Sequence, residues 1–184
     1  QAKTLTKQRQ KSASIVEEEM ENRLIPLGMP HVQFKVEMST LNESSPNGMD
    51  KVRFLFSANK GSLPQELSQV ASGGEIARVM LSLKSLIAGS VQLPTIIFDE
   101  IDTGVSGEIA AKMGKIMCKI AQNVQVLSIT HLPQVAAMGK QHFKVYKLTD
   151  DVRTISSIKM LNKDERINEI AAMMSGEKLT NEAL

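Results

Sequence analysis

The sequence has 184 residues, of which 42% are apolar and 23% charged, and its net charge at pH 7 is +2. This composition is typical of one soluble globular domain, alone or with an appendage. A charge of +2 does not by itself indicate a nucleic-acid partner, and an aromatic share of 3% leaves little material for base stacking. No apolar run approaches the roughly 20 residues of a membrane span, so we expect a cytoplasmic location and no membrane partner.

Residues 1–25 are predicted to form a helix, because they are rich in Lys, Gln and Glu and contain no Gly or Pro. Val16, Met20 and Leu24 form one narrow apolar stripe, as in a two-stranded coiled coil or in a helix lying on the edge of a domain. Basic residues precede acidic ones along this helix. They are interpreted as a solvated face, with a phosphate-contacting patch as the alternative. Pro26 ends the helix.

A β-hairpin is predicted next. Residues 31–38 alternate between apolar and polar side chains, as a half-buried strand does, and residues 52–58 form the returning strand. The segment between them, residues 42–50, carries Asn, Ser, Pro and Gly and is predicted to be the hairpin loop.

An α/β pattern follows. A helix begins after Ser72 and ends near Gly89, a buried strand covers residues 95–98, and a second helix leads to another buried strand at 124–130. The order strand, helix, strand predicts two parallel strands joined by a right-handed crossover. Downstream, the pattern predicts a short helix at 133–138, strands at 142–148 and 153–160, and a last amphipathic helix stopped by Gly176. The single Cys118 excludes an internal disulfide, and its place in a helical pattern predicts a small buried side chain.

A Ser-Gly-Gly start to the first of these helices suits an anion such as phosphate. Ser72 provides an N-cap hydroxyl, Gly73 and Gly74 leave the backbone N–H groups unobstructed, and the helix dipole adds positive potential. The alternative is a capped helix after a Gly-rich turn, with no ligand.

Two carboxylates and a histidine follow the two buried strands. Asp99 and Glu100 end the first strand, where one carboxylate can join a Mg²⁺ shell while the other reaches an attacking water. His131 ends the second strand and could hydrogen-bond a γ-phosphate or that water. Because parallel strands end at the same edge of a sheet, we expect all three side chains there. Taken singly, each has a purely structural alternative, and no second His or Cys lies at zinc-ligand spacing.

These residues resemble the motifs of ABC-type ATPases. Residues 71–75, Ala-Ser-Gly-Gly-Glu, resemble the signature motif, residues 96–100 resemble the Walker B strand, Asp102 the D-loop aspartate and His131 the switch histidine. The longer runs VASGGEIARVMLSLK, IIFDEIDTGVSG and ITHLPQVAAMGKQHFKVYK resemble the RecN family of bacterial DNA repair proteins, which are SMC-like ATPases.

The resemblance implies an α/β fold, the C-terminal lobe of an ABC-type (P-loop) ATPase head. Residues 26–184 would form this lobe, with a parallel sheet, flanking helices and a β-hairpin, and residues 1–25 would be the base of a coiled-coil arm. The head would act on ATP with Mg²⁺ at DNA double-strand breaks, in a bacterial, nucleoid-associated protein.

The resemblance also implies residue roles at a dimer of heads. Ser72 and Gly74 of one subunit would cap the γ-phosphate held by the other, and Gly73, Glu75 and Asp102 would also belong to the nucleotide-binding set. Asp99 would support Mg²⁺, Glu100 would be the general base, His131 would sense the γ-phosphate and Asp102 would couple the two sites.

One motif is absent from the sequence: no Gly-x-x-x-x-Gly-Lys-[Ser/Thr] phosphate loop occurs in it. We therefore expect the chain to be inactive alone and to need an N-terminal head lobe that carries this loop. Two alternatives stay open: a transporter-type ATPase subunit, and a non-enzymatic lobe for DNA binding or dimerisation. Residues 100–102, Glu-Ile-Asp, differ from the Ser-Ala-Leu-Asp of transporters, which disfavours the first.

Overall fold

The computed structural model describes residues 1–70, 72–88, 93–105, 107–149 and 154–175. Its helices are α1 (Ala2–Leu24), α2 (Gly73–Ala88), α3 (Gly107–Ile120), α4 (Pro133–Ala136) and α5 (Lys163–Ser175). Its strands are β1 (Gln33–Ser45), β2 (Gly48–Ser57), β3 (Gln65–Glu66), β4 (Thr95–Asp99), β5 (Gln125–Ile129), β6 (Phe143–Thr149) and β7 (Thr154–Met160). The predictions that fall on Ala71, Gly89, Arg153 and residues 176–184 lie outside the described residues.

The described strands form three sheets. Strands β1, β2 and β3 pair antiparallel in that order, β4 and β5 pair in parallel, and β6 and β7 form a separate antiparallel pair. The parallel pair joined through a helix is confirmed, and so is the antiparallel partner predicted for β6.

Helix α1 lies against the domain rather than standing free. Met20 and Leu24 are fully buried and Val16 packs beside them, in a cluster that includes Phe34 of β1 and Val79 of α2. Of the two arrangements that the sequence left open, the structure therefore shows the helix on the edge of the domain. Met20 and Leu24, the last apolar residues of α1, thus belong to the core.

The predicted hairpin is confirmed, but its predicted loop was wrong. Strands β1 and β2 continue almost to the tip, so that residues 46–47 form the turn and Ser45 pairs with Gly48. The Ser45 hydroxyl closes this turn by donating to the Gly48 carbonyl at 2.8 Å and accepting from Asn47 N–H at 3.1 Å. At the tip, Asp50 accepts hydrogen bonds from Thr6 and Arg9 of α1. Polar residues taken for a loop thus belong to a solvent-facing ribbon docked on a helix.

Two glutamates of α1 bind the free edge of β1. Glu21 Oε1 accepts a hydrogen bond from Phe34 N–H at 3.1 Å, and Glu17 Oε1 accepts one from Val36 N–H at 2.8 Å. Four residues of helix rise about 6 Å and two residues of strand about 6.6 Å, so the two spacings match. The helix thereby satisfies edge donors that would otherwise invite pairing with another strand.

We expect Glu17→Ala to lower the free energy of unfolding by about 1–2 kcal/mol, because it leaves a strand N–H without its charged acceptor. The neighbouring Glu18 is exposed on the same helix. Glu18→Ala is therefore the matched control, with an expected change within about 0.5 kcal/mol. Urea denaturation of both variants measures the difference. Equal midpoints would show that the Glu17 hydrogen bond contributes nothing to stability.

Two apolar clusters meet on α2. One cluster joins α2 through Val79 to α1 and the β1–β2 hairpin, and the other joins it through Leu81 to α3 and strand β4. Two residues along a helix are about 200° apart, so α2 is buried on opposite sides. This double packing holds α2 between the two clusters.

The sheet formed by β4 and β5 is covered on one face. Ile96 and Phe98 of β4 are buried in the cluster with α3. On the other face, Ile97, Leu127 and Ile129 are 55%, 46% and 54% exposed. A parallel sheet is usually covered on both faces, so the exposure of this apolar face is unusual for such a sheet.

The prediction of a buried Cys118 was wrong, because the side chain is exposed. Its Sγ lies 3.5 Å from the Met138 carbonyl, which follows α4. The buried stripe of α3 consists of Ala110, Met113, Met117 and Ile120. Position 118 falls about 100° from Met117, outside that stripe.

Candidate functional site

The N-terminus of α2 is capped as the sequence predicts. Ser72 Oγ accepts a hydrogen bond from Glu75 N–H at 3.4 Å, and the Ser72 carbonyl accepts one from Ile76 N–H at 3.0 Å. Ser72 and Gly73 are exposed. The first turn of α2, with its backbone donors and positive dipole end, therefore lies at the surface, where an anion can approach it.

Gly74 brings this helix start against the turn that follows β4. A Cβ atom added at Gly74 would lie 3.4 Å from the carbonyl oxygens of both Thr103 and Gly104. Gly104 itself has a φ of +73°, a conformation that favours glycine. The contact is thus backbone against backbone, and it joins the Ser-Gly-Gly cluster to the cluster at the end of β4.

The two carboxylates stand at the end of β4. Asp99 is its last residue, is exposed, and pairs in register with Ile129 of β5. Glu100 donates its N–H to the Ile129 carbonyl at 3.1 Å, and its own carbonyl accepts from Thr103 N–H at 3.2 Å and Thr103 Oγ1 at 2.9 Å. The strand therefore ends at Asp99, and Glu100 begins a tight turn with an exposed side chain.

Glu100 has a strained backbone. Its φ is +47°, the one positive value at a non-glycine residue in the described ranges. The left-handed conformation costs an L-residue roughly 1–2 kcal/mol, which glycine avoids. Strained backbone of this kind clusters at functional sites, so the conformation of Glu100 marks it as a candidate functional residue.

His131 lies at the same edge as the two carboxylates. Strands β4 and β5 run parallel with Asp99 opposite Ile129, and His131 follows Ile129 by two residues. Its side chain is exposed. The structure thus brings Asp99, Glu100 and His131 to one edge, and the Gly74 contact joins the start of α2 to the same turn.

Asp102 differs from the other candidates because it is 1% exposed. Thr130 donates its hydroxyl hydrogen bond to Asp102 Oδ2, and the same hydroxyl accepts from Leu132 N–H at 3.0 Å. The other carboxylate oxygen, Oδ1, is buried and has no hydrogen-bond partner among the described residues. Asp102 therefore ties the turn after β4 to the residue before His131. Because Asp102 is buried, it could affect a second nucleotide site only through its hydrogen bond with Thr130 and not through a direct surface contact.

The sequence reasoning missed Thr130 and Thr103. Both hold the backbone of the site: Thr103 closes the turn after Glu100, and Thr130 binds Asp102. The available signal was position, because Thr130 directly precedes His131 and Thr103 directly follows Asp102.

We expect Thr130→Val to lower the free energy of unfolding by about 1.5–3 kcal/mol, because it leaves a buried carboxylate without its donor. Thr130→Ser keeps the hydroxyl, and we expect it to recover most of this loss. Thr95→Val is the matched control, since the Thr95 hydroxyl makes an exposed hydrogen bond with Gln125. Urea denaturation of the purified protein compares the three. A Thr130→Val variant as stable as Thr95→Val would contradict the proposed importance of the buried bond.

No ready-made metal centre is present in the described ranges: no group of three or more His, Cys, Asp and Glu side chains could hold an ion. Asp99 is the exposed carboxylate at the strand end that could join a Mg²⁺ shell. Magnesium usually keeps several waters and takes one or two carboxylates together with substrate phosphates. The donor set thus fits an ion that arrives with a nucleotide.

The chain is similar in sequence to RecN proteins. It is 39% identical over 184 residues, its full length, to the DNA repair protein RecN of Haemophilus influenzae and covers 33% of that protein. With the DNA repair protein RecN of Bacillus subtilis it is 42% identical over 160 residues, 81% of this chain and 28% of the relative. The chain thus spans about a third of the length of the curated relatives that it matches, in their C-terminal part. No family model matches it.

The fold is that of SMC head domains. The Smc head domain with a coiled coil and joint from Pyrococcus yayanosii superimposes with a TM-score of 0.68 and 16% identity, over 91% of this chain and 30% of that one. The SmcHead bound to the C-winged helix domain of ScpA gives a TM-score of 0.62 and 16% identity, over 86% and 46%. Identities this low concern the fold alone. In the part of the chain that the structure describes, no helix is both long and apolar enough to cross a membrane.

Proposed function

Because the chain belongs to the RecN family and matches the C-terminal part of its members, we propose that it is the C-terminal lobe of an ATPase head that acts in DNA repair. The observation that carries this proposal is the convergence of Asp99, the strained Glu100 and His131 at one sheet edge, with the start of α2 packed on the adjoining turn. Such an edge is where ligands of α/β proteins bind.

The site would act on ATP through the division of roles that the motifs suggest. Asp99 would bind the Mg²⁺ that accompanies the phosphates, and Glu100 would accept a proton from the attacking water. His131 would donate a hydrogen bond to the γ-phosphate. Asp102 would hold Thr130, and through it the backbone that carries His131. This arrangement would supply a base for the attacking water and part of the electrostatic stabilisation on which phosphoryl transfer depends, together with positioning of the phosphates.

The start of α2 would serve a second head. Ser72 and Gly73 are exposed, so their hydroxyl and N–H groups are free to approach a γ-phosphate from outside. Gly74 and Glu75 would set the position of this first turn, Gly74 through its contact with the turn after β4. In this proposal two heads form a homodimer that encloses the nucleotides between the helix start of one subunit and the strand end of the other.

A companion lobe would supply the phosphate loop that the sequence lacks. The open apolar face of Ile97, Leu127 and Ile129 supports this proposal, because a core sheet of an α/β protein is normally covered there. Residues 26–184 would form the lobe, and α1 would continue into an arm. Its hydrogen bonds through Glu17, Glu21 and Arg9 would set the direction in which that arm leaves.

The partners and location that we propose follow from the family. The relatives are DNA repair proteins of bacteria, so the complete protein would bind DNA and associate with the nucleoid. Residues 100–102, Glu-Ile-Asp, disfavour the transporter-type alternative. The experiment that tests the proposed function is ATP hydrolysis by the complete protein with Glu100 intact and with Glu100→Gln.

A further inference from the structure

The longest stretch of this chain without an acidic residue lies in its second half. Residues 109–149 contain six lysines and no Asp or Glu, whereas the rest of the chain has 16 basic and 20 acidic residues. A chain with a net charge of only +2 therefore combines a strongly basic segment with a net acidic remainder. Local charge, rather than net charge, decides whether a surface attracts a polyanion.

Three of the six lysines lie on one side of α3. Lys112, Lys115 and Lys119 are spaced i, i+3 and i+7, which places them on a single helical stripe, hereafter the lysine stripe. Lys115 and Lys119 are exposed. The opposite side of α3 is buried through Met113 and Met117. The lysine stripe therefore faces solvent, on the side of the helix remote from the sheet.

Acidic neighbours offset only the beginning of the lysine stripe. Glu108 forms a salt bridge with Lys112 at 2.8 Å, one helical turn away. The hydrogen bond from Lys112 lowers the pKa of Glu108, so this carboxyl is ionised at neutral pH. Within the described ranges, neither Lys115 nor Lys119 forms a salt bridge. Two adjacent ammonium groups are thus left for a partner.

Two further basic residues, Lys140 and Arg166, lie beside α3, although α5 also carries Asp164, Glu165 and Glu169. The Cys118 Sγ lies 3.5 Å from the Met138 carbonyl, so the end of α3 abuts the loop that leads to Lys140. Arg166 of α5 donates to the Ala137 carbonyl at 2.7 Å and to the Lys140 carbonyl at 3.5 Å. These contacts fix the loop and place a guanidinium and another exposed lysine near the end of the lysine stripe.

We propose that the lysine stripe binds the phosphate backbone of duplex DNA. This inference rests on the proposed function and adds a surface to it. Lys112 and Lys119 are about 10 Å apart along the helix, a length that spans about three phosphates of one DNA strand. Lysine ammonium groups bind phosphates as point charges, so contact is independent of base sequence. Because the open apolar face is on the other side of the sheet, a companion lobe that covers that face would leave the lysine stripe free.

The test is a pair of matched double variants of the complete protein, with binding of a labelled random-sequence duplex measured by fluorescence anisotropy over a series of salt concentrations. Lys115→Gln with Lys119→Gln removes two charges at i, i+4 on an exposed helix. Lys3→Gln with Lys7→Gln removes two charges at the same spacing on α1, where both lysines are also exposed. Gln preserves helix propensity, so neither pair should unfold its helix.

For the Lys115 and Lys119 pair we expect roughly tenfold weaker binding, and a plot of log K against log salt whose slope is smaller by about 1.8. For the control pair we expect little change. If both pairs weaken binding equally, the effect is one of net charge or of α1, and the proposal is wrong. It is equally wrong if the Lys115 and Lys119 pair binds like the unchanged protein.

A third variant should strengthen binding, which misfolding cannot mimic. Glu108→Gln releases Lys112 from its salt bridge, and we expect a tighter complex with a slope that is larger by about 0.9. Unchanged or weaker binding would contradict the role given to Lys112.

ATP hydrolysis without DNA separates this inference from the proposed function. None of these lysines is placed in the ATP site, so the basal rate should stay unchanged in every variant. If the Lys115 and Lys119 variant binds DNA as the unchanged protein does, and ATP is still hydrolysed, this inference alone is wrong. A protein that neither hydrolyses ATP nor binds DNA would overturn the proposed function and the inference together.

Discussion

Glu100→Gln in the complete protein is expected to lower the rate of ATP hydrolysis by about 10²- to 10⁴-fold, the contribution typical of a positioned general base. The amide has nearly the shape of the carboxylate but cannot accept a proton at neutral pH. Binding of ATP should persist, because Asp99 and the helix start keep their groups. We therefore expect a long-lived ATP-bound dimer, measured by single-turnover hydrolysis and by size-exclusion chromatography with light scattering.

Two further variants separate loss of the base from damage to the fold. Glu100→Gly removes the carboxylate and also the backbone strain, so it should be inactive and yet more stable by about 1 kcal/mol. Glu43→Gln, an exposed glutamate of β1, should change neither quantity. If Glu100→Gln hydrolyses ATP at the unchanged rate, Glu100 is not the base. If Glu100→Gly is less stable than the unchanged protein, the positive φ of Glu100 does not destabilise the fold.

The second large effect concerns the companion lobe. The chain alone should hydrolyse ATP no faster than background, since it contains no loop to enclose the β- and γ-phosphates. Joining it to the N-terminal head lobe of the same protein should raise the rate by about 10²-fold or more, because positioning supplies a large part of catalysis. A phosphate-release assay on each lobe and on the mixture measures this.

Hydrogen exchange gives an independent readout of the same assembly. The open face carried by Ile97, Leu127 and Ile129 should become covered, so the amides of β5 should exchange more slowly in the mixture than in the chain alone. A companion lobe without its loop lysine should still protect β5 but restore no turnover. Robust turnover by the isolated chain would contradict the need for a second lobe.

Several elements could be predicted because local periodicity determines them. The parallel pair β4 and β5 is an apolar run on each side of an amphipathic helix, and the structure confirms its pairing and its common edge. That edge could be predicted from chain order alone, since two parallel strands must end on the same side of their sheet. Asp99, Glu100 and His131, which end or follow these strands, could therefore be expected at this edge.

Other features depend on contacts between distant segments, which a local pattern does not encode. The β1–β2 hairpin runs beyond its expected loop because its tip is held by Arg9, more than 40 residues away, through Asp50. The carboxylate of Asp102 is buried because Thr130 lies beside it, although Asp102 follows two exposed acidic positions in a polar turn.

The sequence by itself determined which chemical groups end each strand and begin each helix, because these depend on residue order and on periods of two and 3.6. Only the tertiary structure decided the backbone conformation of Glu100, the burial of Asp102 and the contact of Gly74 with Gly104. Each of these features depends on the packing of neighbouring elements around the turn that follows β4. The free energy that holds them comes from the packing of α2 and α3 and from the hydrogen bonds of Thr103 and Thr130 in and beside the turn.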